Sequence, residues 1–153
     1  PPPAPQPGHP SGKLVIWGDT AWFDVRQNPE NCILLSRFKR GMRMGWRITA
    51  IDGGTGETEN TAVITAHLTY NSKTKGRTTV DIPMRWRGGA PPNAPAPNGY
   101  LRVPRELWTG YWTVPDDAET GMLTYQVTAV DRFGRTASFI PFPDIGSQPY
   151  VVD

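Results

Sequence analysis

Cysteine is nearly absent from this chain of 153 residues, with Cys32 as its single thiol. That excludes an internal disulfide, a four-cysteine zinc site and a CxxCH haem attachment. By itself Cys32 reads as a small buried hydrophobe. Histidine is almost as scarce, with His9 near the N-terminus and His67 in mid-chain. Blue-copper geometry needs two histidines and a cysteine together, which is not expected here despite Met42, Met44, Met84 and Met122. No apolar run approaches the roughly 18 residues that cross a membrane as a helix. No window carries a 3.6-residue apolar period over about ten residues. There is no GxSxG, HExxH, P-loop or GxGxxG. A Ser–His–Asp arrangement could draw only on His67 in the folded part, and nothing places a serine beside it. An acid pair meeting only in space is a hydrolase alternative that a generic substrate screen would test. The net charge is only +2, from 16 Lys and Arg against 14 Asp and Glu. Such a balance does not demand a nucleic-acid partner.

Turn formers, by contrast, are plentiful. Gly 16 and Pro 17 together exceed a fifth of the chain, which favours many turns over long helices. The first stretch, PPPAPQPGHPSG (1–12), holds Pro1, Pro2, Pro3, Pro5, Pro7 and Pro10. It is expected to form an extended, semi-rigid arm. A second Pro-rich stretch (88–99) reads as a long surface loop or a seam between two halves. The expected organisation is an arm over 1–12 and a single domain over 13–153.

Between these stretches the period is two. In RFKRGMRMGWRI (37–48), a turn at Lys39–Gly41 leads into a strand. Met42, Met44, Trp46 and Ile48 fall on one face and Arg43, Gly45 and Arg47 on the other. Residues 62–70, 80–87 and 123–130 alternate in the same way, which is the pattern of strands with one buried face. Shorter strands are expected at 13–17, 22–26, 32–38, 100–103, 110–114, 135–140 and 148–152. Turn signals separate them at 18–19, 28–31, 52–57, 71–76, 115–121 and 131–134. The implied architecture is an all-β antiparallel sandwich or barrel.

The stretch WTVPDDAETGMLTYQVTAVDRFGRTASF (112–139) resembles the closing hairpin of bacterial immunoglobulin-like domains of the fibronectin or invasin type. FKRGMRMGWRITAIDGGTGETENTAVITAHLTY (38–70) resembles the strand pair that precedes it. Together they cover about half of the chain. Cys32, Trp46 and Tyr125 are also similar to the antibody pattern of cysteine, core tryptophan and corner tyrosine, but the second cysteine is missing. The resemblance implies an immunoglobulin-like β-sandwich and export to the periplasm or the extracellular space. Any signal segment would lie outside this numbering. It implies no catalytic residues.

The functional expectation is a non-catalytic, exported accessory or structural subunit of a larger extracellular or periplasmic assembly, without a cofactor, that docks through its loops and N-terminal arm. Its partners would be other proteins, copies of itself included. The partner-binding candidates are the prolines of the arm and the arginines Arg43, Arg47, Arg85 and Arg87, which form a cationic stripe if their strands are neighbours. The competing view of those arginines is a solvated face of weak surface ion pairs. The alternative function is carbohydrate binding by Trp108, Tyr111 and Trp112, since exposed flat rings stack on sugars. Its competitor is burial of those rings in a core or an interface. Calcium ligands are conceivable in the loops with Asp52 and Glu57, or with Asp116, Asp117 and Glu119, although these are common turn residues.

Overall fold

The computed structural model describes residues 12–23, 33–88, 106–141 and 148–153. The prolines Pro1, Pro2, Pro3, Pro5, Pro7 and Pro10, Cys32, the Pro-rich loop beyond residue 88 and the strand expected at 100–103 lie outside these. Among the described residues the fold is all-β, and no helix is present that is long and apolar enough to cross a membrane. The strands are β1 (Leu14–Trp22), β2 (Ile33–Leu34), β3 (Arg37–Lys39), β4 (Arg43–Asp52), β5 (Val63–Ser72) and β6 (Gly76–Pro83). They continue as β7 (Arg85–Trp86), β8 (Trp108–Thr113), β9 (Gly121–Met122), β10 (Thr124–Val130), β11 (Thr136–Phe139) and β12 (Tyr150–Val152).

Among the described residues these strands form three sheets, in the orders β2-β1-β4-β8-β7, β11-β10-β5-β6 and β3-β12-β9. The five- and four-stranded sheets are antiparallel throughout. In the small sheet β12 runs parallel to β3, a departure from the all-antiparallel expectation. Alternation places Trp46, Ile48 and Ile16 of the first sheet in one core with Ile64, Leu68 and Val127 of the second. Aromatic rings close the gap between the two layers. Trp46 meets Tyr125 edge-on at 5.6 Å, and Tyr70 meets Trp112 at 5.0 Å. Offsets of this kind suit the ring quadrupoles. Burial pushes the Tyr125 phenol far above its ordinary value, and the Asp19 carboxylate adds to the effect. Phe38 and Val151 fill the end of this core from the small sheet.

Three expected boundaries move. Gly18–Asp19 is not a turn: β1 runs straight through it, paired with β4 from Leu14 to Trp22. Glycine serves close approach here, because a Cβ at position 18 would collide with the main-chain carbonyl of Arg47. The stretch expected as one strand over 32–38 divides into β2 and β3. The strand expected over 80–87 divides as well. Its ladder to β5 ends at Pro83, and Met84 donates to Ile64 O at 2.8 Å. The chain then crosses into the five-stranded sheet as β7. Ile82, Met84 and Trp86 still face inward, because both sheets share one core.

The turns expected at 39–41, 52–57, 71–76 and 131–134 are present, while that expected at 28–31 lies outside the described residues. Gly41, Gly56, Gly76 and Gly134 take positive φ between 71° and 82° at the ends of hairpins, a region open to glycine at little cost.

Candidate functional site

The outer face of the five-stranded sheet carries the residues best suited to contact another molecule. Arg43 and Arg47 project from β4, Tyr111 from β8 and Arg85 from β7, with Arg87 just beyond it. β8 lies between β4 and β7, so the arginine-bearing strands share a sheet without being neighbours. Tyr111 is 54% exposed, and the Arg43 guanidinium lies 4.2 Å from its ring centroid. Such a stack contributes about 0.5–1 kcal/mol at an exposed site and holds the guanidinium plane in place. Beside it, Phe23 lays its ring over Gly45, where any side chain would displace it, and its amide donates to Arg43 O at 3.0 Å. Trp17, 44% exposed, stands further along the same face of β1.

The four arginines are not equivalent. Arg47 donates from Nε and Nη2 to the two oxygens of Asp19 at 2.8 and 3.0 Å, so its charge is already matched within the sheet. This is the kind of surface pair that the solvated-face view describes. Arg43, Arg85 and Arg87 form no ion pair among the described residues.

The three rings expected to form a sugar platform do not share a face. Trp108 is buried at 6% exposure, donates from Nε1 to Glu59 O at 3.1 Å and stacks on Trp86 at 5.4 Å. Trp112 packs against the core through Tyr70. The parity that turns Trp112 inward turns Trp108 inward too, since four residues separate them on one strand. Tyr111 alone remains open.

A second polar array crosses the outer face of the four-stranded sheet. His67 Nδ1 lies 2.7 Å from Asp81 Oδ1, and Nε2 lies 2.8 Å from Thr128 Oγ1. Carboxylate, imidazole and hydroxyl thus stand in the order an acyl-transfer triad uses. However, β5 and β10 are both interior strands. Their amides pair with neighbouring strands, so among the described residues the ladders of β5 and β10 offer no free main-chain N–H beside Thr128 to receive an oxyanion. What the array does is tie β6, β5 and β10 together.

A third cluster was not foreseen as a unit. Arg135 donates to Asp131 at 2.6 Å, to Asp52 at 2.5 Å and to Gly12 O at 2.9 Å, and Glu59 stands 3.7 Å away. Asp52, Asp131 and Glu59 are all buried. Burial opposes the charge of Arg135, but its bonds to Asp52 and Asp131 outweigh that and raise its pKa. The knot joins the 52–57 turn, the 131–134 turn and the main chain at Gly12. Only Asp52 had been singled out, as a calcium candidate. Its Oδ1 instead accepts from Gly54 and Thr55, while Oδ2 accepts from Arg135.

Asp117, in the other loop considered for calcium, accepts from Ser72 Oγ and Thr74 Oγ1 at 2.5 and 2.6 Å. Among the described residues no group of three or more His, Cys, Asp or Glu is arranged to hold a metal ion. The Ser72 bond, followed by that from Thr74, lowers the Asp117 pKa below its ordinary value. A depressed carboxylate stabilises the fold above its unfolded pKa, near 4, and that stabilisation is lost as pH falls through the folded value. Asp117→Ala is therefore expected to melt below the parent at neutral pH, with the gap closing in strong acid. Thermal melts followed across that range check the sign, and a constant gap refutes it.

No family model matches the chain, and no curated protein matches it. Among solved structures, a family 123 glycoside hydrolase from Clostridium perfringens, studied for glycolipid glycan hydrolysis, overlaps it with a TM-score of 0.33 at 10% identity. The overlap takes in 90% of this chain and 27% of that one. A likeness that loose does not establish a common fold.

Proposed function

We propose that this protein is a non-catalytic interaction module, a subunit that docks onto other proteins in an exported assembly. In this reading the facing sheets are an immunoglobulin-like sandwich serving as a rigid scaffold. The docking surface is the outer face of the five-stranded sheet. One observation carries it: the Arg43 guanidinium stacked on an exposed Tyr111, on the face that also presents Arg85 and Arg87 without ionic partners among the described residues. Arginine and tyrosine are the side chains that most often anchor protein interfaces. Two further features support the reading. Among the described residues the His67 array has no free strand amide beside Thr128, and the Arg135 knot is used within the fold.

The test is a photo-crosslinking aromatic amino acid placed at Tyr111, with a control at Gln126 on the opposite sheet. Adducts with a second protein, or with a second copy, are expected from position 111 and not from position 126. Equal labelling at both, or none at 111 in the protein's native setting, removes the proposal.

A further inference from the structure

The register of the five-stranded sheet aligns in a line the cations that have no ionic partner among the described residues. Arg43 lies opposite Thr113, and Tyr111 lies opposite Gly45, so Arg43 and Tyr111 are diagonal neighbours across β4 and β8. Arg85 lies opposite Thr109, which makes Tyr111 and Arg85 diagonal neighbours across β8 and β7. Arg87, whose amide donates to Leu107 O at 2.9 Å, continues the line two residues on. Diagonal neighbours in an antiparallel sheet are about 7–8 Å apart, and alternate residues along one strand about 6.6–6.8 Å. The face therefore presents cation, ring, cation, cation at a nearly constant step. That step matches the spacing of same-side residues in an extended chain, about 6.6–6.8 Å for every second residue.

From this match we infer that the face receives an extended acidic peptide segment of a partner protein. The segment bears carboxylates on alternate residues, with one apolar side chain among them. Its first carboxylate meets Arg43, its apolar side chain meets Tyr111 beside the Phe23 ring, and the next two carboxylates meet Arg85 and Arg87. Guanidinium groups suit this role because their planar fork donates to both oxygens of a carboxylate. Arg43 is pre-ordered by its stack, so less freedom is lost when it binds. Arg47 takes no part, because Asp19 already holds it. The inference rests on the docking reading above and names the chemistry of its partner.

The experiment measures fluorescence anisotropy of a labelled peptide of roughly seven residues, long enough to span the line at the strand period. It carries acids at the first, fifth and seventh positions and phenylalanine at the third; a control peptide carries the matching amides. The acidic peptide is expected to bind and to weaken as salt is raised. Arg43→Gln, Arg85→Gln and Arg87→Gln combined should reduce its affinity about tenfold or more. Arg77→Gln, on the other sheet, removes one positive charge elsewhere and should leave binding unchanged. Equal binding of acidic and amide peptides, no binding of either, or indifference to the triple substitution overturns the inference. So does an acidic oligosaccharide that binds this face more tightly than the peptide. If adducts form at position 111 while the peptides fail, the acidic segment is wrong and the docking face stands. If position 111 gives no adducts in the native setting, the docking reading itself has failed.

Discussion

Arg135→Met is expected to destabilise the protein by roughly 3–5 kcal/mol, the usual consequence of removing one partner from a buried ion pair. The cation at position 135 is bonded to Asp131, Asp52 and the carbonyl of Gly12, with Glu59 close by. Removing it leaves buried carboxylates without the guanidinium that they face, although Asp52 and Asp131 keep their amide donors. Asp131 accepts from the amides of Phe133 and Arg135, and Asp52 from those of Gly54 and Thr55. The turns should thus survive locally while the contact between them is lost. For a chain of this size each kcal/mol is about 2–4 °C in Tm, so a drop of roughly 6–20 °C is expected in a thermal melt. Arg135→Lys should fall between the parent and the methionine variant, since an ammonium keeps the charge but not the fork that reaches two carboxylates at once. A methionine variant that melts with the parent would mean that the knot contributes nothing net, an outcome known for some buried ion pairs when apolar groups replace them.

The second large effect is expected at Trp46. Its side chain is fully buried and stands edge-on to Tyr125 between the two large sheets. Trp46→Ala should lose about 3–5 kcal/mol, because burial is lost and a cavity remains where layers on both sides are held by their own ladders. Trp46→Phe should lose much less. The indole Nε1 is buried and has no hydrogen-bond partner among the described residues, so phenylalanine removes an unpaired donor while it keeps a ring against Tyr125. Denaturant unfolding of the two variants checks this pair of outcomes. Equal losses would mean that the indole shape, and not the polar atom, sets the packing.

Much of the architecture was legible because alternation is a local property of the chain. Met44, Trp46 and Ile48 were read as inward and are fully buried. The same holds for Ile64, Leu68, Val127 and Ala129, and the glycine turns at 41, 56, 76 and 134 follow from local backbone freedom. The errors arose where a residue type has two uses. Gly18 looked like a turn because glycine and aspartate together usually are one, yet its role is set by an Arg47 carbonyl that β4 brings close. Trp108 looked free because its own strand gave no sign of the Glu59 carbonyl and the Trp86 ring that receive it. The arginines left two readings open, a stripe if their strands were neighbours or a solvated face of ion pairs, because their face could be inferred but their counter-ions could not. Asp19 lies 28 residues from Arg47 in sequence and reaches it only through the pairing of β1 with β4.

The Arg135 knot shows the same division. Each of its carboxylates sits at a recognisable turn or loop, but the 52–57 turn, the Glu59 loop and the 131–134 turn are joined only when β5 and β10 pair.

By itself, the order of residues decided which side chains face inward and where hairpins reverse, because both depend on neighbours one to four positions away. The tertiary structure alone decided that β6 and β7 belong to different sheets, that Arg47 is neutralised while Arg43, Arg85 and Arg87 have no ionic partner among the described residues, and that Tyr111 stands between cations. Those outcomes depend on which strand lies beside which, and strand pairing brings together residues that no local period relates.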